Sequence, residues 1–100
     1  MSVLVKQVED KLCELVRDAA KKAMAAGELP EAELTDFKVE IPADRKNGDY
    51  STNAAMAWAR AFRRAPAMIA AAITKNIDLE GTAFSSCEAA GPGFINSRLA

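Results

Sequence analysis

Residues 83–99 read AFSSCEAAGPGFINSRL, and this segment organises the prediction of the whole fold. Its centre, Gly91-Pro92-Gly93, is typical of a tight turn, because glycine tolerates left-handed backbone angles and proline restricts its own. Ala83–Ala89 before the turn reads as a weak strand, and Phe94–Leu99 after it reads as another. We therefore predict a terminal β-hairpin whose turn covers Ala90–Gly93.

Two helices are predicted immediately before this hairpin. The first begins near Ser51-Thr52-Asn53, any of which could cap it, and Pro66 is acceptable as the first residue of the second. The second helix ends around Lys75-Asn76, and the two should meet at a sharp corner. Their buried positions follow helical spacing and are Ala55, Trp58, Ala59 and Phe62 in the first helix and Ile69, Ala72 and Ile73 in the second.

The N-terminal half predicts one helix and one strand. Val5–Met24 carries apolar residues at the three-and-four spacing of an amphipathic helix, and Gly27 is placed to cap it in the left-handed conformation. Asp36–Ile41 places apolar residues at every second position from Phe37 to Ile41, which predicts a strand with one buried face. The ADRKNGDY segment, residues 43–50, is rich in turn formers and predicts an exposed loop.

The order of these elements predicts the fold class. One helix, one strand, two helices and two strands make an α+β domain, in which a small, mainly antiparallel sheet is covered on one face by about three helices. The chain has 100 residues, which suits a single domain spanning 1–100, and no internal repeat or low-complexity tract divides it.

Composition narrows the possible functions. The chain contains no histidine, which removes the commonest general base and most zinc sites and makes catalysis within these residues improbable. No apolar run approaches the roughly 20 residues that span a bilayer, so no membrane partner is expected. Cys13 and Cys87 lack metal or redox spacing and are interpreted as small core residues.

The charge is unevenly distributed along the chain. The whole chain has a net charge of −1, yet residues 45–75 carry six Lys or Arg against one Asp. We call this segment the basic band; its cations are Arg45, Lys46, Arg60, Arg63, Arg64 and Lys75. Such a band can meet phosphates, or it can be a solvated surface that happens to be basic; charge alone leaves both open.

Two short motifs suggest a family. Gly48–Asn53 reads GDYSTN at the head of the predicted second helix, and Ala90–Asn96 reads AGPGFIN at the start of the last strand. Both strings, in this order and at this separation, resemble the N-terminal additional domain of arginyl-tRNA synthetases. The resemblance covers nearly the whole chain and is only compositional before Asp36.

This resemblance implies a function in tRNA recognition. The domain would contact the D-loop at the elbow of arginine tRNA and position it for ATP-dependent arginylation by the rest of a cytoplasmic enzyme. ATP and magnesium would belong to that enzyme, whose class I signatures are missing here, so we expect an inactive fragment with no cofactor of its own. Its expected partners are the tRNA and the enzyme's own downstream catalytic domain, with no DNA.

The resemblance also implies site residues. Its base-reading positions fall on Phe94 and Asn96, which are two apart on a predicted strand and therefore share a face. An aromatic ring can stack on an unpaired base, and an amide can bond its edge. Gly91, Pro92 and Gly93 would let the base approach the backbone, although Gly91 stands where some relatives carry a polar contact.

Several alternatives stay open beside this interpretation. Phe94 could instead be a core residue, but Asn96 would then be buried too, so we expect an exposed face with Ile95 and Leu99 turned inward. We interpret GDYSTN as structural, with Tyr50 anchoring the loop, and Trp58 as core that needs one acceptor. Candidate phosphate contacts are Arg45, Lys46, Arg60 and Arg64. A scaffold module that packs on a partner domain without touching RNA is the rival function.

Overall fold

The computed structural model describes residues 3–41, 48–82, 84–91 and 93–99, except the side chains of residues 3–6. The helices are α1 (Val3–Ala25), α2 (Ala54–Phe62) and α3 (Pro66–Asn76). The strands are β1 (Val39–Glu40), β2 (Tyr50–Thr52), β3 (Phe84–Ala90) and β4 (Phe94–Leu99). The predicted helices are present, and the terminal hairpin is confirmed as β3 and β4.

The four strands form one antiparallel sheet in the order β1-β2-β4-β3. The predicted α+β class is confirmed by this sheet and the three helices beside it. Strand β2 was not predicted, since Tyr50–Thr52 was assigned to a loop and a helix cap. It forms because its backbone pairs with β1 on one side and with β4 on the other, a long-range contact that no local pattern reports.

Strand β1 is shorter than predicted. Only Val39 and Glu40 pair, opposite Thr52 and Ser51, whereas the prediction ran from Asp36 to Ile41. Ile41 is 65% exposed, so its predicted place on the buried face is wrong. The alternating pattern correctly placed Val39 on the more buried side and Glu40 on the exposed side. Strand β2 has only three residues, which is too few to pair with the whole predicted strand.

Helix α1 ends as predicted and packs against α3. Gly27 has a φ of 79°, and the amide of Glu28 donates to the carbonyl of Ala23, closing the last turn. The buried stripe of α1 contains several alanines, which let the two helices approach closely. Its members are Leu12, Leu15, Val16, Ala19, Ala20 and Ala23.

The corner between α2 and α3 is formed by a left-handed residue. Arg63 has a φ of 55° and caps α2, and Pro66 is the first residue of α3 as predicted. Trp58, Phe62, Ile69 and Ile73 are fully buried, while Ala72 is only partly so. The Trp58 ring nitrogen donates to the carbonyl of Thr35 at 2.8 Å, which supplies the acceptor that its burial requires.

Candidate nucleic-acid interface

The sheet has an inner face against the helices and an outer face that no described helix covers. Tyr50, Thr52, Ile95 and Ser97 are buried and lie on the inner face. Because side chains alternate along a strand, Ser51, Phe94 and Asn96 lie on the outer face. The fold therefore presents the centre of the last motif on a surface open to a ligand.

Phe94 and Asn96 lie where the sequence analysis expected them. Phe94 is 38% exposed and Asn96 is half-buried, whereas Ile95 between them is fully buried. The core alternative for Phe94 is therefore wrong. Leu99 has the inward position in the strand alternation that the sequence analysis expected, and it pairs with the buried Phe84, but at the last register position of the hairpin it is 38% exposed.

The glycines of the turn have different surroundings. Gly91 is exposed with a φ of 56°, and a β-carbon there would lie 3.7 Å from the Phe94 ring. Gly93 is buried, and a β-carbon there would lie 2.4 Å from the β-carbon of Pro66 and 2.9 Å from Cγ of Met56. Gly91 thus leaves space beside the ring, whereas Gly93 lets α2 and α3 pack on the turn. Pro92 lies outside the described residues.

A row of polar side chains crosses the outer face. In register, Glu40 of β1 lies opposite Ser51 of β2, Ser51 opposite Asn96 of β4, and Asn96 opposite Glu88 of β3. Phe94 lies on the same face, one outward position before Asn96. An aromatic ring beside acceptors and donors is the combination that reads single-stranded bases.

A pocket of about 250 Å³ lies on the β1, β2 and β4 side of this row. Its lining residues are Lys38, Glu40, Ser51, Thr52, Asn53, Met56 and Phe94. This volume is below the roughly 300–1,000 Å³ of pockets that hold whole small-molecule ligands, so it suits a part of a nucleotide.

The GDYSTN motif holds this face in place. The amide of Asp49 donates to the carbonyl of Ser97 at 2.8 Å, and the Asp49 carboxylate accepts from the amide of Leu99 at 2.8 Å. Asn53 does not cap α2 with its side chain, as was considered; its Oδ1 accepts from the Lys38 amide at 2.8 Å. The structural interpretation of the motif is supported, by bonds between strands rather than by a helix cap.

Tyr50 anchors the same motif from the inner face. Its ring meets Phe84 edge-on at 6.2 Å between centroids. Burial, and then the negative charges of Glu9 and Asp49, raise the pKa of Tyr50, so its phenol stays protonated at neutral pH. Tyr50 is thus anchored in the core, but it belongs to strand β2 of the sheet rather than to the predicted loop.

The basic residues divide into two groups. Arg60 and Arg64 are exposed, and Arg60 lies one turn beyond Met56 on the same face of α2, about 6 Å further along the helix axis. Lys75 forms an ion pair with Glu28 at 2.7 Å, on the far side of α3. Arg45 and Lys46 lie outside the described residues. Among the described cations, Lys38 lines the pocket, Arg60 lies on the helix that lines it through Met56, and Arg64 follows the end of α2.

The two cysteines are half-buried rather than fully buried. Burial is the main cause that raises the pKa of each thiol, assisted at Cys13 by the charge of Asp10 and opposed at Cys87 by a hydrogen bond with Ser97. Neutral thiols are poor nucleophiles. The described part of the chain also brings together no group of three His, Cys, Asp or Glu residues suited to a metal ion.

Sequence reasoning missed Lys38, Glu40, Ser51 and Met56 as pocket residues. The signal for two of them was present, since Lys38 and Glu40 are the charged positions that alternate with Phe37 and Val39. Charged residues on a half-buried strand identify its outer face, but only the strand order shows that this face continues into Phe94. None of the helices in the described ranges is long and apolar enough to cross a membrane.

Comparison with known proteins adds three findings. A family model described as the arginyl tRNA synthetase N terminal domain matches residues 10–99. The arginine–tRNA ligases of Acetivibrio thermocellus and Staphylococcus aureus are each 42% identical over 96 residues, or 96% of this chain. The chain spans 17% of the first of these relatives and 16% of the second.

Solved structures agree at the level of the fold. Arginyl-tRNA synthetase from Plasmodium falciparum superposes with a TM-score of 0.68 and 20% identity, covering 93% of this chain and 16% of that one. The Thermus thermophilus arginyl-tRNA synthetase gives a TM-score of 0.58 and 24% identity, covering 83% of this chain and 13% of that one. The architecture described above thus recurs in larger proteins.

Proposed function

Because this chain belongs to the family of arginyl-tRNA synthetase N-terminal domains, we propose that it contacts the elbow of arginine tRNA through the D-loop. Its role is to position the tRNA while the rest of the enzyme performs ATP-dependent arginylation in the cytoplasm. In this proposal the chain itself recognises the tRNA and does not catalyse the arginylation reaction. Its second partner is the enzyme's own downstream catalytic domain.

One observation carries the proposal: Phe94 and Asn96 lie together on the sheet face that no described helix covers. Contact between water and the exposed face of an aromatic ring is unfavourable, so covering the ring with another planar group is favourable. An unpaired base in a tRNA loop is such a planar group. Stacking contributes about 1–3 kcal/mol per base. Asn96 can donate and accept at the edge of the same base.

The phosphate contacts lie around this face. Arg60 is exposed on α2 one turn beyond Met56, which lines the pocket, and Arg64 is exposed just after the end of α2. Lys38 lines the pocket itself and adds a cation that the sequence analysis had not singled out. Arg45 and Lys46, which lie outside the described residues, stay proposals from the sequence alone. Lys75 is tied to Glu28, so it contributes less than its place in the basic band suggested.

ATP and magnesium belong to the proposed whole enzyme. Magnesium prefers carboxylate oxygens around an octahedral site, and the described residues assemble no such group. The thiols of Cys13 and Cys87 are protonated at neutral pH because burial raises their pKa values.

The affinity of the chain alone should be low. One stacked base, one or two hydrogen bonds and a few phosphate contacts, less the entropy of association, give a dissociation constant on the order of 0.1–1 mM. Binding is then useful mainly when the remaining domains hold the same tRNA, since linked sites raise the effective concentration.

The test is a titration of the ¹⁵N-labelled chain with arginine tRNA, followed by NMR. We expect shifts at Gly91–Asn96 and at Arg60 and Arg64. Phe94→Ala should weaken binding about fivefold or more, because the stacking free energy is lost. Asn96→Ala should weaken it less, since neighbouring groups and water can replace part of its bonding.

Leu99→Ala is the matched control. Leu99 lies on the same strand and has the same exposed fraction as Phe94, but the opposite position in the strand alternation. It should leave tRNA binding unchanged. A spectrum that stays silent at millimolar tRNA, or equal losses for Phe94→Ala and Leu99→Ala, would contradict the proposal and favour a scaffold module that packs on a partner domain.

A further inference from the structure

Arg63 has a backbone conformation that is unfavourable for an arginine. Its φ of 55° and ψ of 42° are left-handed, and no other non-glycine residue in the described ranges has a positive φ. A residue with a β-carbon is strained in this conformation, and glycine is the common choice where a helix ends in this way. Stability alone would therefore favour glycine at this position.

Local bonds hold Arg63 at a defined place at the end of α2. Its amide donates to the carbonyl of Ala59, as in a regular helix, and its carbonyl accepts from Nη1 of Arg64 at 3.2 Å. The residue is exposed and forms no ion pair with any residue that the structure describes. An ordered backbone thus carries a guanidinium that has no partner within the described part of the chain.

Helical spacing aligns Arg63 with Met56 and Arg60. Met56 lines the pocket beside Phe94, and the two arginines follow it at positions i+4 and i+7. These spacings are close to one and two helical turns, so the three residues lie along one face of α2 and span about 10 Å. The row that starts at the pocket therefore continues with two cations.

The corner that carries Arg63 is packed against the turn before Phe94. A β-carbon on Gly93 would lie 2.4 Å from the β-carbon of Pro66 and 2.9 Å from Cγ of Met56, so both helices touch the residue that precedes Phe94. Pro66 follows Arg63 closely in the chain. The separation between the Phe94 ring and the row of arginines is thus fixed by direct packing.

We propose that Arg63 binds a phosphate of the RNA backbone and that its left-handed conformation is retained for this contact. The inference rests on the proposed function, because it takes a base of the same RNA to stack on Phe94. A guanidinium can bond two oxygens of one phosphate in parallel, whereas an ammonium acts as a point charge. Arg60 contacts the nearer phosphate and Arg63 the farther one, so α2 follows the RNA strand away from the pocket.

The decisive variant is Arg63→Gly, because stability and binding should change in opposite directions. Glycine relieves the left-handed strain, so the midpoint of urea denaturation should rise. The dissociation constant for arginine tRNA, taken from the shifts of Phe94 and Asn96 in the ¹⁵N-labelled chain, should increase about threefold or more. The slope of log K against log salt should become shallower by about 0.7–0.9, because one phosphate contact is lost.

Two further variants separate the charge from the backbone. Arg63→Lys keeps both the strain and the charge, so it should keep the urea midpoint and the salt slope and lose only part of the affinity. Lys22→Gln removes one exposed positive charge from α1 and should leave the salt slope unchanged.

Three results overturn the inference. The first is unchanged tRNA binding by Arg63→Gly. The second is a lower urea midpoint for that variant, which would mean that the arginine itself stabilises the corner. The third is a loss of salt slope in Arg63→Lys or Lys22→Gln that equals the loss in Arg63→Gly.

The shifts of the unmodified chain distinguish this inference from the proposed function. If arginine tRNA shifts Phe94 and Asn96 while any of the three results occurs, the tRNA function stands and only the role of Arg63 falls. If arginine tRNA leaves Phe94 and Asn96 unshifted in the unmodified chain, the proposed function and the role of Arg63 both fall.

Discussion

At the residue scale, Gly48 shows why the GDYSTN motif begins with glycine. Gly48 is buried with a φ of 96°, and a β-carbon there would lie 2.8 Å from the carbonyl oxygen of Ser97. The close approach lets the next residue, Asp49, bond both Ser97 and Leu99. The lack of a side chain at Gly48 thus allows the chain that enters β2 to lie close to β4, the strand that carries Phe94 and Asn96.

Gly48→Ala should therefore destabilise the chain by more than its backbone angle alone requires. The positive φ costs about 1–2 kcal/mol for a residue with a β-carbon, and the forced contact adds about 1–3 kcal/mol. The free energy of unfolding is measured by urea denaturation followed by circular dichroism. The control is Gly27→Ala, at φ 79° with nothing within 4 Å of the added atom. Equal losses for the two variants would show that contact with Ser97 is unimportant.

At the scale of elements, Arg17 fixes the connection between α1 and β1. Its guanidinium donates to the carbonyl of Leu34 at 3.0 Å and meets the carboxylate of Asp36 at 3.3 Å. It also lies 5.3 Å from the centre of the Phe37 ring, which in turn packs edge-on against Trp58. A segment without helix or strand is thereby held against the core, and it leads directly into Lys38 and Glu40.

Arg17→Met should lower the free energy of unfolding by about 1–3 kcal/mol, because the carbonyl loses its donor while an apolar stem remains. Lys21→Met is the control, since Lys21 is exposed one turn further along α1. Urea denaturation measures both. The amide signals of residues 34–40 should shift only in Arg17→Met. If the two variants are equally stable, the tether contributes nothing and β1 is held by its pairing with β2.

At the scale of the whole molecule, the cations of the basic band do not form one continuous positive surface on the outer face of the sheet. Lys75 is ion-paired with Glu28, which also accepts from Asn76, and these bonds lower the pKa of Glu28. The outer face of the sheet mixes Lys38 and Arg98 with Glu40 and Glu88. The outer face thus carries both positive and negative side chains rather than a single sign of charge.

The double change Arg60→Gln with Arg64→Gln should accordingly weaken the salt dependence of tRNA binding. The slope of log K against log salt should become shallower by about 1–2, because about 0.7–0.9 is lost for each phosphate contact. Fluorescence anisotropy with labelled arginine tRNA over a range of KCl measures it. Lys21→Gln with Lys22→Gln removes the same charge from α1. A slope equally reduced by both pairs would mean that net charge, rather than the position of Arg60 and Arg64, governs binding.

Much of this architecture could be predicted from local pattern. Helical spacing located α1, α2 and α3, and the Gly-Pro-Gly turn located the hairpin, since each depends on residues within one or two turns of chain. Alternation identified the outward position of Phe94 and Asn96. Local pattern failed to predict the exposure of Ile41 and Leu99, because burial at a strand end depends on what lies across the sheet.

The sequence by itself determined which residue types are available for the proposed recognition: an aromatic ring, an amide and a flanking set of cations. Only the tertiary structure decided that β2 exists, that it lies between β1 and β4, and that Glu40 therefore shares a pocket with Phe94. The physical reason is distance along the chain. Pairing of Ser51 with Asn96 joins residues 45 positions apart, and backbone hydrogen bonds between distant strands carry no periodic signal in either segment.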